Sequence, residues 1–211
     1  WVWSPAKAAS VIIARTQATK ELFPQHMQDK VVVHLEACVD LNRDFYFSSD
    51  TPTQLKKSKG INLLYTGRII HIKNIPMLVS IMKDIVKEYP ECKLHILGDG
   101  DERAESERLV EEYGLQKNVA FYGNIPRANL LKAVQECDAF VFPSLREGAP
   151  WSLLEAMAFR KPIVAFDLNG MHDTLSSESA ILVNIDGMTP SESRTEFYKG
   201  IKRLLELSDT E

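Results

Sequence analysis

The 211-residue chain contains no apolar run approaching the roughly 20 residues that a membrane-spanning helix needs, and no positively charged amino end followed by an apolar core. Cysteine is scarce. The three present, Cys38, Cys92 and Cys137, are odd in number and far apart, which suits neither a disulfide framework nor a metal-ligand spacing, so they are expected to be reduced thiols with no metal. An excess of positive charge is missing too: 25 lysines and arginines stand against 29 aspartates and glutamates, a net charge of -4, so no overall basic field exists to hold a nucleic acid. Internal repeats and low-complexity segments are also absent. What is there, 45% hydrophobic and 26% charged residues, is the balance of a folded globular chain. The expectation is a soluble cytoplasmic protein of one domain, or one and part of another. Because it starts at Trp1 and stops at Glu211 directly after a helical pattern, it is expected to be a fragment.

From about Ile61, short apolar runs alternate with amphipathic segments, the pattern of βα units and a parallel sheet covered by helices. Strands are expected near Asn62 to Tyr65, Lys93 to Leu97, Val119 to Tyr122, Ala139 to Phe142, Ile163 to Phe166 and Ile181 to Val183. The fold class is therefore α/β, a Rossmann-like parallel sheet of about six strands flanked by helices. Leu78, Ile81, Met82, Ile85 and Val86 fall at helical spacing, and further helices are expected at about 102–112, 129–136 and 196–207. The first fifty residues differ, with strand candidates at Val11 to Ala14 and Val31 to Leu35 around a helix at Gln17 to Phe23. The polar stretch Phe47 to Thr53 reads as a linker, which puts a domain boundary near residue 50.

The most informative segment runs from Pro143 to Ala158. A strand ends at Pro143, a loop carries Glu147 and Gly148, and Pro150 suits the first turn of a helix, where its missing N–H is harmless. That loop lies at the carboxyl end of a parallel strand, the edge where open α/β sheets hold ligands. The first helical amides, those of Trp151 and Ser152, point outward with the positive end of the helix dipole, ready for a phosphate. Glu155 falls among Leu153, Leu154, Ala156 and Met157, where a carboxylate is costly unless it meets a partner. On spacing alone, a helix cap and a surface glutamate would account for the two acids.

The whole segment, Glu147-Gly148 to Leu154-Glu155-Ala156-Met157-Ala158, resembles the signature of the retaining glycosyltransferases called glycosyl transferases group 1. The resemblance implies the carboxy-terminal, donor-binding half of a GT-B fold, with residues 1–50 a remnant of the first domain and linker and 51–211 the donor domain. It implies that Glu147 lies against hydroxyls of the donor sugar and Glu155 against the nucleotide ribose, which suits carboxylates that accept from neighbouring hydroxyls. Tyr65 to Asn74 is similar to the family's Gly-Arg, gap, Lys-Gly pattern, so Gly67, Arg68 and Lys73 inherit the diphosphate contact, with two fixed cations replacing a metal ion. Asn74 replaces a glycine and tolerates left-handed geometry. His71, between the cations, reads as a merely polar loop residue. Gly98 belongs to a Gly-Asp-Gly turn, and Arg103 replaces the third glycine of a dinucleotide fingerprint. Gly123 resembles the segment whose backbone lies against the base. Val39-Asp40, with Cys38 in a glycine position, partly matches the exit from the first domain. Asn169 and Asp173 partly match the loop after the penultimate strand, and Arg160 replaces a cap glycine, from which a longer or differently capped helix is expected.

These features imply an enzyme transferring a sugar, with retention, from a nucleotide-diphosphate sugar to an acceptor hydroxyl, with no cofactor. Glu147, Arg68 and Lys73 carry the catalytic expectation; Gly148, Trp151, Ser152 and Glu155 join them in holding the donor. The acceptor domain is the missing partner, any membrane contact would be peripheral and through it, and the fragment alone is expected to bind nucleotide without turnover. A non-catalytic nucleotide-sugar binding or assembly domain and one half of a sugar-nucleotide epimerase are the competing readings; the failed glycine fingerprint disfavours a dehydrogenase.

Overall fold

The computed structural model describes residues 3–34, 39, 55–57, 59–148, 150–168, 171, 174–176 and 178–208. The proposed linker from Phe47 to Thr53, the boundary near residue 50, Cys38, Asp40, Asn169 and Asp173 lie outside the described residues.

Six strands form one parallel sheet: β3 (Asn62–Thr66), β4 (Lys93–Leu97), β5 (Val119–Gly123), β6 (Ala139–Phe142), β7 (Ile163–Phe166) and β8 (Ala180–Val183), in the order β5-β4-β3-β6-β7-β8. Every residue of β3, β6 and β7 is buried, as expected of strands covered on both faces, which explains why they read as continuous apolar runs without alternation. The helices α4 (Ile75–Glu88), α5 (Arg103–Glu112) and α8 (Pro190–Ser208) pack together, and α6 (Arg127–Glu136) packs on α7 (Trp151–Ala158). Helix α4 buries Ile75, Leu78, Val79, Ile81, Met82 and Ile85 as a single apolar face. Phe197 of α8 meets Phe166 of β7 edge to face, with ring centroids 4.8 Å apart.

The chain winds outward from β3 through β4 to β5, then returns to place β6 on the other side of β3. This reversal is the topological switch point, the place where open α/β sheets hold ligands, and the loops leaving β3 and β6 meet there. At the same edge the loop ends are laid tightly together. Gly98 has φ +134°, and a Cβ on it would come within 1.9 Å of the Gly67 carbonyl oxygen, so no other residue type fits there. Gly98 N also donates to the Gly123 carbonyl at 2.8 Å, and Gly67 N to that of Leu97 at 2.9 Å.

The amino-terminal residues form a small unit of their own. Strands β1 (Ile12–Ala14) and β2 (Val31–Val33) pair in parallel, with α1 (Trp3–Ala8), α2 (Gln17–Glu21) and α3 (Gln25–Gln28) around them. Ala14, Met27 and Val31 are buried, whereas Val11, Ile13 and Val32 are exposed on the other face of this two-stranded sheet, so among the described residues that apolar face is uncovered.

Several expectations need correction. The helix expected over Gln17 to Phe23 ends at Glu21, and after the turn at Phe23-Pro24 a further short helix, α3, follows. Helix α8 begins at Pro190, six residues before the expected start, behind a capping box in which Thr189 N donates to Glu192 Oε2 at 2.8 Å and Glu192 N to Thr189 Oγ1 at 3.3 Å. Pro150 precedes α7 as its extended cap rather than lying in its first turn. Arg160 does not lengthen the helix. It takes the left-handed position itself (φ 55°), with Arg160 N bonded to Met157 O and Lys161 N to Ala156 O, the cap a glycine would have made.

Candidate functional site

Two loops meet at the switch point. The β3–α4 loop carries Arg68 and Lys73 and ends in Asn74, whose left-handed conformation (φ 57°) turns the chain into α4 as expected of asparagine at a glycine position. Its base is a buried phenol: the Tyr65 hydroxyl donates to the Arg68 carbonyl at 2.9 Å, which fixes the backbone that presents Arg68. Burial, and after it the nearby Glu147 charge, hold this phenol well above the usual tyrosine range, so it stays a donor. The Arg68 side chain itself is exposed.

Lys73 crosses from this loop to Glu147 on the β6–α7 loop, and Nζ pairs directly with Oε1. The pair is largely shielded from water, with side-chain exposures of 12% and 13%, so its charges are weakly screened. Lys73 Nζ also stands 5.3 Å from the centre of the Phe142 ring, a cation–π contact. On the other side Ser144 Oγ donates to the same Glu147 oxygen at 2.6 Å, while Leu145 N bonds the Ile72 carbonyl at 2.8 Å and ties the two loops together. Gly148 follows Glu147 without a positive φ, and a Cβ there would meet only the stem of Arg15, at an ordinary contact distance of 3.5 Å, among the described residues. Neither backbone geometry nor crowding therefore demands glycine at this position.

Glu155, one turn into α7, is 3% exposed and has met a partner: Arg127 Nη1 of α6 donates to Oε1 at 2.6 Å. Arg127 is half exposed, so the pair joins a buried carboxylate to a cation at the surface. Trp151, at the start of the helix, is also half exposed, and Ser152 beside it is partly buried. The first amides of such a helix have no acceptor within it. Gly67, Gly98 and Gly123 lie at the neighbouring strand ends as described above. His71 points away, 88% exposed, against Glu102 of the loop before α5. Arg103, which broke the glycine fingerprint, bonds Asp99 and Glu107.

Three of the four expected polar residues thus lie in two pairs rather than one open cluster, Lys73 with Glu147 and Glu155 with Arg127, an arginine the sequence analysis did not identify, while Arg68 is exposed on the β3–α4 loop. Arg127 carried no local signal, because it reaches Glu155 across the α6–α7 contact. Ser144 stood inside the quoted segment and could have been noticed. A cavity of about 670 Å³ lies at the opposite, amino edge of the sheet, bounded by Ile61, Asp138, Pro162, Ile181 and Leu204, and none of the expected site residues lines it. Among the described residues no helix is long and apolar enough to cross a membrane, and no cluster of acidic, histidine or cysteine side chains could hold a metal ion. Cys92 and Cys137 are free and buried, their thiols pushed up to about 12 chiefly by burial.

The family model for glycosyl transferases group 1 matches residues 48–211, from the proposed linker through the whole six-stranded sheet. The chain belongs to the glycosyl transferases group 1 family. Among curated relatives, an uncharacterized glycosyltransferase of Methanocaldococcus jannaschii is 29% identical over 85% of the chain and 45% of its own length. The alpha-D-kanosaminyltransferase of Streptomyces kanamyceticus is 26% identical over 95% of the chain and 52% of its own length. The chain spans about half the length of these relatives. Its fold matches GT-B glycosyltransferase structures: the pneumococcal O-GlcNAc transferase GtfA, solved with UDP and GlcNAc, superposes with a TM-score of 0.76 at 18% identity, covering 98% of the chain and 40% of GtfA. Anabaena HepE, solved with UDP, gives 0.75 at 22% identity, covering 98% of the chain and 56% of HepE.

Proposed function

We propose that this glycosyltransferase chain is the donor-binding half of an enzyme that transfers a sugar, with retention, from a nucleotide-diphosphate sugar to an acceptor hydroxyl. The observation that carries the reading is the convergence of Lys73, from the β3 loop, with Glu147, from the β6 loop, at the switch point and ahead of α7. A diphosphate entering there competes with Glu147 for Lys73 and finds Arg68 and the amides of Trp151 and Ser152 beside it. Glu147, released from Lys73, accepts from the sugar hydroxyls, and Glu155 accepts from the ribose. As the bond between sugar and phosphate breaks, negative charge grows on the diphosphate, and Arg68 and Lys73 stabilise it without a metal ion. Glu147 then acts by position and charge along a front-face route. The UDP found in GtfA and HepE supports a nucleoside diphosphate in the equivalent place here.

Residues 1–50 are the remnant of the acceptor domain and its linker, and the donor domain begins near residue 51. The uncovered apolar face of β1 and β2 supports this division, since strands of a first domain would bury it. In this reading the acceptor is held by the first domain, so the chain alone binds nucleotide and does not turn over. The test is calorimetric titration of the chain with UDP, GDP and ADP. Binding of one of them, lost on Lys73→Met and Arg68→Ala, is expected; heats that stay flat for all would remove the donor site from consideration, and sugar transfer by the chain alone would overturn its inactivity.

A further inference from the structure

We propose that the cavity at the amino edge of the sheet is a second ligand site, one that takes a phosphate monoester carried on an apolar body. Its volume of about 670 Å³ lies within the range of small-molecule sites, about 300–1,000 Å³. It opens where β3, β6, β7 and β8 begin, and Ile61, Ile163, Ile181 and Leu204 give it an apolar lining. Three cations, Arg160, Lys161 and Arg203, line it against two acids, Asp138 and Glu178, an excess of one positive charge. Lys161 Nζ is engaged, donating to the Cys137 carbonyl at 2.7 Å, and Asp138 Oδ2 accepts from Asn62 N at 2.7 Å and from Asn62 Nδ2 at 3.0 Å. Arg160 and Arg203 are exposed, and among the described residues neither side chain has a hydrogen bond or an ion pair. Side chains of this length can converge on one ligand held in the cavity. A single guanidinium satisfies the two oxygens of a carboxylate, whereas a phosphate monoester offers three and suits a pair.

Arg160 supplies a second observation. It ends α7 in the left-handed conformation, φ 55°, which glycine adopts freely and arginine only at a cost. The bonds that close the helix there, from Arg160 N to Met157 O and from Lys161 N to Ala156 O, are made by the backbone and would form as well with glycine. Nothing that the arginine side chain bonds among the described residues offsets the difference between the two. A residue held in a strained conformation with no internal bond to justify its side chain, beside a cavity of ligand size, points to a binding role.

The experiment titrates the whole chain with octyl phosphate by calorimetry and by methyl nuclear magnetic resonance, for wild type, Arg160→Gly, Arg203→Gln and, as control, Arg68→Ala. Butyl phosphate, octanoate and octanol are titrated in parallel. Octyl phosphate is expected to bind and to move the methyl signals of Ile163, Ile181 and Leu204. Arg160→Gly and Arg203→Gln should each raise its Kd about tenfold, and Arg68→Ala should leave it unchanged. Butyl phosphate should bind at least about tenfold more weakly, since each buried methylene is worth roughly fourfold in affinity. Octanoate should also bind more weakly than octyl phosphate. Because glycine suits position 160 better than arginine, weaker binding by Arg160→Gly is no folding defect, and its thermal midpoint, not lowered, checks this. No heat and no methyl shift with octyl phosphate would overturn the site. If Arg68→Ala abolishes binding while both cavity variants bind like wild type, the phosphate sits at the donor loops and the cavity is no site. Octanol or octanoate binding as tightly as octyl phosphate would overturn the phosphate class.

Discussion

Acid should destabilise this protein through one histidine. His95, in the middle of β4, is fully buried, and its Nδ1 lies 2.9 Å from the Tyr122 hydroxyl and its Nε2 3.2 Å from Asn62 Oδ1. Asn62 uses its amide hydrogens on Gly60 O and Asp138 Oδ2, so its oxygen must accept and Nε2 must carry the proton. Tyr122 then donates to Nδ1 and accepts from Lys56 N at 3.0 Å. Every partner suits a neutral ring, and a second ring proton would face the hydroxyl that now donates to it. Burial first, and then the Lys93 charge, pushes the imidazole down from 6.5 to about 4. The folded value is depressed, so the unfolded chain binds more protons in this window. Stability is fully present above about pH 6.5 and is lost as pH falls toward about 4. At roughly 1.4 kcal/mol per unit the full loss is about 3 kcal/mol, with about 2 kcal/mol gone by pH 5. Urea denaturation of wild type and His95→Gln across this range measures it. The variant starts less stable, because its neighbours lose a fitted partner, but its curve should be flatter by that amount. Parallel curves for the two proteins would refute the reasoning.

Three other substitutions separate fold from site. Gly148→Ala should leave the thermal midpoint within about 1 °C, since neither φ nor crowding opposes a methyl there, yet weaken nucleotide-sugar binding at least about tenfold by calorimetry. Arg127→Met removes the cation paired with the buried Glu155 carboxylate and should destabilise by about 2 kcal/mol in urea, below the roughly 3–5 kcal/mol of a fully buried pair because Arg127 is half exposed; Glu155→Gln on that background should recover much of it. Arg160→Gly relieves a left-handed arginine and should stabilise by about 1 kcal/mol in the same assay, with no change in nucleotide affinity.

Legibility followed the range of the interaction concerned. Strands β4, β6 and β7 appear with the bounds expected from their apolar runs, because a strand covered on both faces writes its burial into consecutive residues. Asn74 was readable as a left-handed turn for the same local reason. Arg160 was misjudged because sequence reasoning weighed the residue's preference alone, while the bonds from Arg160 N and Lys161 N offset the strain. The start of α8 was present as Thr189-Pro190-Ser191-Glu192, a cap signal that went unused.

By itself the sequence determined the α/β class, the six parallel strands and the residues that resemble a glycosyltransferase donor site, since periodicity and short motifs are properties of neighbours along the chain. Only the tertiary structure decided that Lys73 is paired with Glu147, that Glu155 is held by Arg127, and that Arg15 stands over Gly148. Those contacts join segments dozens of residues apart, and their geometry comes from the order in which the strands lie side by side, which no local pattern records.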